Sequence, residues 1–79
     1  MSATGEMLLE HGFVREPHSP RRYNKRNVLV VQTDDDGNHW SVFVFERTPT
    51  GRRGSVLWEA AFSHAPAEII RYVLERASE

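Results

Sequence analysis

The sequence predicts an α+β domain in which a helix, a three-stranded antiparallel meander and a second helix form a two-layer sandwich (αβββα). Three observations predict this order. A short apolar run near the start stops at a glycine, three runs rich in β-branched and aromatic residues follow with turn residues between them, and an amphipathic stripe ends the chain. Because the chain has 79 residues, residues 1–79 are predicted to form a single domain.

The first helix is predicted over Gly5 to His11. Thr4 precedes it and is a good N-cap residue, and Gly12 follows where a helix end needs a left-handed residue. In such an ending the residue after the glycine contacts the last turn of the helix, so Phe13 is expected to pack against Leu8.

The next segment carries most of the positive charge and is predicted to be an irregular loop. Pro17 and Pro20 each lack a backbone donor and bias the preceding residue toward an extended backbone, which excludes a regular helix. Between positions 15 and 26 the only acid is Glu16, against five basic residues, which gives the segment a local charge of +4. These basic residues are Arg15, Arg21, Arg22, Lys25 and Arg26.

Three strands are predicted in the middle of the chain. Val28 to Thr33 is rich in β-branched residues and runs into the turn cluster 34–38, which contains Asp-Gly. Trp40 to Arg47 alternates with large apolar side chains on both faces, which is typical of a central strand. A second turn over 48–54 leads to the third strand, Ser55 to Phe62.

The last element is predicted to be a helix that packs on the sheet. Pro66 fits the first turn of a helix, and Glu68 lies near the positive end of the helix dipole. The apolar positions that follow recur at helical spacing and form one stripe. They are Ile69, Ile70, Val73, Leu74 and Ala77.

This layout predicts an uncovered sheet face and therefore a partner. If the second helix covers one face, the other presents either Phe43 and Phe45 or Trp40 and Val42. Large exposed apolar patches usually mark interaction sites, and the uncharged strand starting at Val28 is expected to leave an open edge. We therefore expect an interaction module that forms a homodimer or binds an unidentified protein, with its interface drawn from Trp40, Val42, Phe43 and Phe45.

The alternative function is nucleic-acid binding by the basic segment. In Arg21, Arg22, Tyr23, Lys25 and Arg26, the cations are suited to phosphates and the tyrosine ring to stacking on a base. Arg52 and Arg53 are further candidates for the same contacts. The formal net charge of −1 and the pI of about 6.4 are unlike the basic character of a dedicated nucleic-acid-binding domain.

The sequence contains few of the residue patterns that are typical of catalytic or metal-binding sites. There is no cysteine, the four histidines are scattered, and the aspartate run at 34–36 lacks the alternating ligands of a calcium loop. No Gly-x-Ser-x-Gly turn is present to activate a serine. We therefore expect no catalytic residue, no metal and no cofactor. The apolar runs are too short to cross a membrane, so a cytoplasmic location is the expectation.

Two resemblances add to this interpretation. The stretch from Trp58 to Ile69, with Pro66-Ala67-Glu68-Ile69 at its end, resembles the carboxyl end of small uncharacterised actinobacterial and actinophage domains, although Ala65 stands where their threonine caps the helix. The element order is also similar to that of double-stranded-RNA-binding domains and of HicA-like toxin ribonucleases. In the ribonucleases a short helix ending in Gly-Phe, to which Gly12-Phe13 is similar, precedes a Ser-His pair on the first strand. Here the pair is reversed as His18-Ser19. The second resemblance implies a remote alternative, a ribonuclease that uses His18.

Overall fold

A computed structural model describes residues 3 to 78, and Met1, Ser2 and Glu79 lie outside the described residues. Five strands form one antiparallel sheet in the order β1-β2-β3-β4-β5. The fold is therefore α+β as expected, but the predicted three-stranded meander is wrong, because two further strands precede it. The elements are α1 (Ala3–Glu10), β1 (Val14–Glu16), β2 (Ser19–Lys25), β3 (Val28–Gln32), β4 (His39–Arg47), β5 (Arg53–Ser63) and α2 (Ala67–Ala77).

The two extra strands come from the segment that was expected to be a loop. Pro20 lies within β2, yet it interrupts no ladder of hydrogen bonds. Tyr23 of β2 pairs with Arg15 of β1, whereas the next pair joins Ser19 to Glu16, so a register shift leaves Pro20 unpaired on that side. Pairing of β2 with β3 starts only after the proline. Because neither neighbouring strand needs a donor from Pro20, the strand tolerates it.

The turn between β2 and β3 carries no glycine, which is why its hairpin is hard to recognise in the sequence. Lys25 pairs with Val28, so Arg26 and Asn27 form a two-residue connection. Arg26 has φ 53°, a left-handed conformation that glycine and asparagine adopt more easily. As β2 covers one side of β3, the strand starting at Val28 is an inner strand and not the open edge that the sequence predicts.

The end of α1 confirms the contact predicted for Gly12. This glycine has φ 86°, and the backbone N–H of Phe13 donates to the carbonyl of Leu8 at 3.0 Å. The N–H of Gly12 donates to the carbonyl of Leu9 at 3.1 Å. These two bonds define a Schellman ending. They turn the chain so that Phe13 enters the core beside Leu8.

Both helices pack on the same face of the sheet. Trp40 lies at the centre of this core, and its indole N–H donates to the carbonyl of Gly37 at 2.7 Å, so the buried ring leaves no unpaired donor. Because α1 and α2 share one core, no helix between residues 3 and 78 lies over the other face of the sheet. The buried cluster comprises Met7, Leu8, Phe13, Tyr23, Val28, Val30, Trp40, Val42, Val44, Ile70, Leu74 and Ala77.

The packing of α2 generates a stability prediction. Leu74 is fully buried, whereas Ile69 on the same helix is 48% exposed. Replacing Leu74 by alanine leaves a cavity under the helix and is expected to reduce the free energy of unfolding by about 3 kcal/mol. Ile69→Ala, measured alongside by urea denaturation, is expected to stay within about 0.5 kcal/mol of wild type. Equal losses in the two variants would contradict this assignment of the helix faces.

Candidate functional site

The uncovered side of the sheet, which we call the open face, has an apolar centre. Leu29 pairs with Phe43 across β3 and β4, and Phe45 pairs with Val56 across β4 and β5. Together with Val31 these side chains line a shallow hollow of about 460 Å³, whose remaining walls are Arg22, Thr33 and Ser41. Three adjacent strands therefore contribute to an apolar surface that no helix of the described residues covers, and Leu29, at 7% exposed, forms its floor.

The structure separates the residues that the sequence offers as interface candidates. Trp40 and Val42 are 1% and 0% exposed beneath the helices, so they do not reach the surface. Phe43 and Phe45 are half-buried on the open face. Of the two sets left open by the strand alternation, the phenylalanine set is the one that faces outward. The sequence analysis does not include Leu29 among the interface residues. The signal for it is the Val28–Val31 run, which is apolar on both faces, as is typical of a strand covered on two sides.

A polar network borders the apolar centre on the β1–β2 side. Arg22 Nε donates to Glu16 Oε2 at 3.0 Å, and the amide of Asn24 donates to the same oxygen. Arg53 reaches across to donate to Asn24 Oδ1 at 2.6 Å, and its guanidinium lies 5.3 Å from the centre of the Phe45 ring. The hydrogen bond from Asn24, followed by that from Arg22, holds the pKa of Glu16 below its usual value.

The opposite side of the open face carries a negative charge. Glu59 of β5 lies directly across from Phe43 in the register and is exposed. Its carboxylate makes no hydrogen bond or ion pair with any residue between 3 and 78. Arg22 on β2 and Glu59 on β5 therefore place opposite charges on the two sides of the apolar centre. Arg22 is already paired with Glu16, and Arg53, at the start of β5, adds a positive charge over Phe45.

The basic segment 21–26 does not form one cationic surface. Tyr23 is only 3% exposed and packs against Trp40 with ring centres 5.8 Å apart, so its ring is not available to stack on a base. Arg21 pairs with Asp35. Lys25 donates from Nζ to the carbonyl of His11 at 2.7 Å. Because β2 is a strand, successive cations of this segment also point to opposite faces of the sheet.

Arg26 instead joins basic residues from elsewhere in the chain. The β2–β3 turn and the β4–β5 turn meet at one end of the sheet, around a hollow of about 250 Å³. Burial, and then the positive charge of Arg22, lower the pKa of Arg53 at this position, while Glu16 opposes the shift. The nucleic-acid hypothesis groups Arg26 with its neighbours on β2 and offers Arg52 and Arg53 as further candidates, but it does not include Arg47. We call the four basic side chains that line this hollow the arginine cluster: Arg26, Arg47, Arg52 and Arg53.

At the other end of the sheet, Asp34, His39 and Ser63 lie next to one another in the order of an Asp-His-Ser catalytic triad. His39 Nε2 lies 3.0 Å from Ser63 Oγ, but His39 Nδ1 is 3.7 Å from Asp34 Oδ2, beyond hydrogen-bond length. Asp34 Oδ1 accepts the backbone N–H groups of Gly37, Asn38 and His39. His39 and Ser63 are a cross-strand pair. We therefore assign these residues to closing the β3–β4 turn and the end of the sheet.

The pKa of Asp34 reflects this role in the turn. Burial works to raise it, but the three backbone donors and the neighbouring His39 hold it below its usual value. His18, the residue suggested by the ribonuclease resemblance, lies exposed in the turn between β1 and β2. Between residues 3 and 78, no three histidine or carboxylate side chains converge in a way that would hold a metal ion. No helix in the same part of the chain is long and apolar enough to cross a bilayer.

Two carboxyls with lowered pKa values predict a defined acid dependence. A group with a lowered pKa in the folded state stabilises the fold above its unfolded pKa, and this contribution is lost as the pH falls through its folded value. The free energy of unfolding should therefore decline below the ordinary values of 4.5 for Glu16 and 3.8 for Asp34. Glu16→Gln should make this decline shallower in urea titrations at a series of pH values. In the Glu16→Gln background, Asn24→Ala should not change the pH dependence of the free energy of unfolding further. If Glu16→Gln itself leaves this pH dependence unchanged, Glu16 is not one of the carboxyls responsible for it.

Comparisons with protein families, with curated proteins and with solved structures found no match to this chain. The functional proposals below therefore depend on its own residues, their burial and their charges. Two surfaces carry them. One is the open face with its apolar centre, and the other is the arginine cluster at the end of the sheet.

Proposed function

We propose that this domain is a non-enzymatic interaction module that associates with a second copy of the chain through its open face. The observation that carries the proposal is the apolar centre of that face, over which no helix of the described residues lies. Phe43 and Phe45 supply large aromatic surface, and aromatic residues are enriched where protein surfaces bind each other. A small domain also gains stability from such burial, because its own core is limited in size.

Charge complementarity favours a second copy as the partner. Two sheets that pack face to face with two-fold symmetry have their axis in the plane between them. If that axis runs parallel to the strands between β3 and β4, β2 of each protomer lies over β5 of the other. Arg22 then faces Glu59 of the partner subunit on both sides of the interface. In the middle, β3 with Leu29 and Val31 lies over β4 with Phe43 and Phe45.

The register makes this charge pairing geometrically reasonable. Arg22 pairs with Val31 and, across the sheet, with Ser41, whereas Glu59 pairs with Phe43. Ser41 and Phe43 are two residues apart on β4, so the two charged positions are offset by one pleat along the strand. One pleat is about 7 Å, and packed sheets lie about 10 Å apart, a separation that two long side chains bridge between them. Arg22 uses Nε for Glu16, which leaves its terminal nitrogens for a carboxylate of the partner.

Nucleic-acid binding by residues 21–26 stays a prediction, and the geometry favours it less. Tyr23 is buried, and Arg21, Arg22 and Lys25 each contact a group of this protein. Contact with a nucleic acid would require these partners to be exchanged. The open face requires no such rearrangement, so it is the surface on which we base the proposed function.

A charged substitution in the centre of the open face should dissociate the dimer. Phe43→Glu places a carboxylate in the apolar interface, where burial of an unpaired charge is strongly unfavourable. We expect the mass measured by light scattering to fall from that of a dimer to that of a monomer, with an unchanged circular dichroism spectrum. Tyr72→Glu is the matched control, because Tyr72 is an exposed aromatic residue on α2, away from the open face. A wild-type monomer, or a Phe43→Glu dimer, would contradict the proposal, and a wild-type monomer would direct attention to a different protein partner.

The orientation of the two copies has its own test. Arg22→Glu and Glu59→Arg should each weaken the homodimer about tenfold or more, since each replaces two attractive pairs by two repulsive ones. Mixing the two variants should restore association, because the acidic variant then faces the basic one at both positions. If instead each strand lay over the same strand of the other protomer, Arg22 would not face Glu59 of the partner subunit. Neither single variant would then weaken the homodimer. That result would overturn this orientation while leaving the use of the open face intact.

A further inference from the structure

The arginine cluster lies at the end of the sheet where the β2–β3 and β4–β5 turns meet, away from the centre of the open face. Arg26 comes from the β2–β3 turn, Arg47 ends β4, and Arg52 and Arg53 lie where the next turn leads into β5. All four line one hollow of about 250 Å³, whose other walls are Asn27, Thr48 and Gly51. None of the described residues that line this hollow is acidic, so they concentrate positive charge there.

Hydrogen bonds hold the walls of the hollow in place. Arg53 donates from Nη2 to the carbonyl of Val28 at 3.0 Å and to Asn24 Oδ1 at 2.6 Å. Arg47 Nε donates to Asn27 Oδ1 at 3.3 Å. The β4–β5 turn is closed by the hydroxyl of Thr48, which donates to the carbonyl of Arg52 at 2.6 Å. The side chains of Arg47 and Arg53 are therefore positioned by their own surroundings, which reduces the ordering that binding would require of these two residues.

Two of the guanidinium groups have no partner within the described chain. Arg26 and Arg52 are exposed, and their side chains make no hydrogen bond or ion pair with any residue between 3 and 78. Arg26 also stands at φ 53°, where glycine or asparagine would fit the backbone with less strain. An arginine held in a strained turn beside three others is unfavourable for the fold alone. It is suited to an anion that bridges them.

We propose that the arginine cluster binds a phosphate group. Guanidinium groups donate two parallel hydrogen bonds to phosphate oxygens, and several arginines around a small hollow match an anion with more than one charge. Arg26, Arg52 and the terminal nitrogens of Arg47 supply the donors, while Arg53 adds positive charge and fixes the wall. This chemistry suits either a free phosphate compound or a phosphodiester of a nucleic acid.

The proposal does not rest on self-association through the open face. The cluster lies at the end of the sheet, and only Arg53 contacts both surfaces, through the Phe45 ring. A Phe43→Glu variant is therefore expected to bind phosphate as wild type does. Loss of the dimer and loss of phosphate binding are separate results.

The test uses the full chain and two probes at low ionic strength. Pyrophosphate is titrated by calorimetry, and a fluorescent single-stranded oligothymidylate is titrated by anisotropy. Arg26→Gly and Arg52→Ser should each weaken binding about tenfold, the size of one or two lost charge-assisted hydrogen bonds. Arg26→Gly is the sharper variant, because glycine relieves the strained backbone and the melting temperature should not fall. Arg71→Ser on α2 removes the same charge outside the hollow and should change nothing.

The two probes distinguish the sources of the phosphate group. Saturable binding of pyrophosphate, at one per chain, supports a free phosphate compound. Tighter binding of the oligonucleotide, with an affinity that falls linearly with salt on logarithmic axes, supports a phosphodiester. The proposal is overturned if neither probe binds saturably, or if Arg71→Ser weakens binding as much as Arg52→Ser does.

Discussion

The packing of both helices on one face of the sheet is the constraint on which the other features depend. Leu8 of α1 and Leu74 of α2 belong to the same buried cluster as Trp40 and Val42. Between residues 3 and 78 there are only these two helices with which to cover a five-stranded sheet. Placing both on one side makes one core, and it leaves Phe43 and Phe45 on the other side without a helix over them. The open face is thus a consequence of how the core forms, and apolar residues on such a face are typical of interaction sites.

Much of the fold follows from the sequence, and the failures have definite causes. The meander from Val28 onward, the amphipathic stripe of α2 and the helix ending at Gly12 are all visible as periodicity and turn chemistry. The strand β2 is not, because Pro20 and a run of cations are typical of loops. A register shift removes the need for a donor at Pro20, and the turn at Arg26 uses a residue that seldom adopts φ 53°. Tertiary pairing therefore overrides the local signals.

The candidate sites were harder to predict than the fold, because they depend on which residues the sheet brings together. Alternation along β4 shows that Phe43 and Trp40 point to opposite faces, but it does not show which face α1 covers. The cations of segment 21–26 are adjacent in sequence, yet Arg21, Arg22 and Lys25 contact different groups. Only Arg26 joins a cluster, and its companions follow it by twenty or more positions in the chain. Charge density along a sequence is therefore a poor guide to charge density on an antiparallel sheet.

Arg53 connects the two candidate surfaces and shows how one side chain serves both. Its guanidinium lies over the Phe45 ring of the open face, donates to Asn24 in the polar border, and forms a wall of the arginine cluster. Because its donors bind Asn24 and backbone carbonyls, its position is fixed by the fold and not by a ligand. Burial lowers its pKa, but an arginine keeps its charge at neutral pH even after such a shift. A charge that is both fixed and permanent borders the apolar centre on one side and adds to the field of the cluster on the other. The two surfaces thus share a rigid boundary, which explains how a domain this small presents an apolar face and a basic hollow side by side.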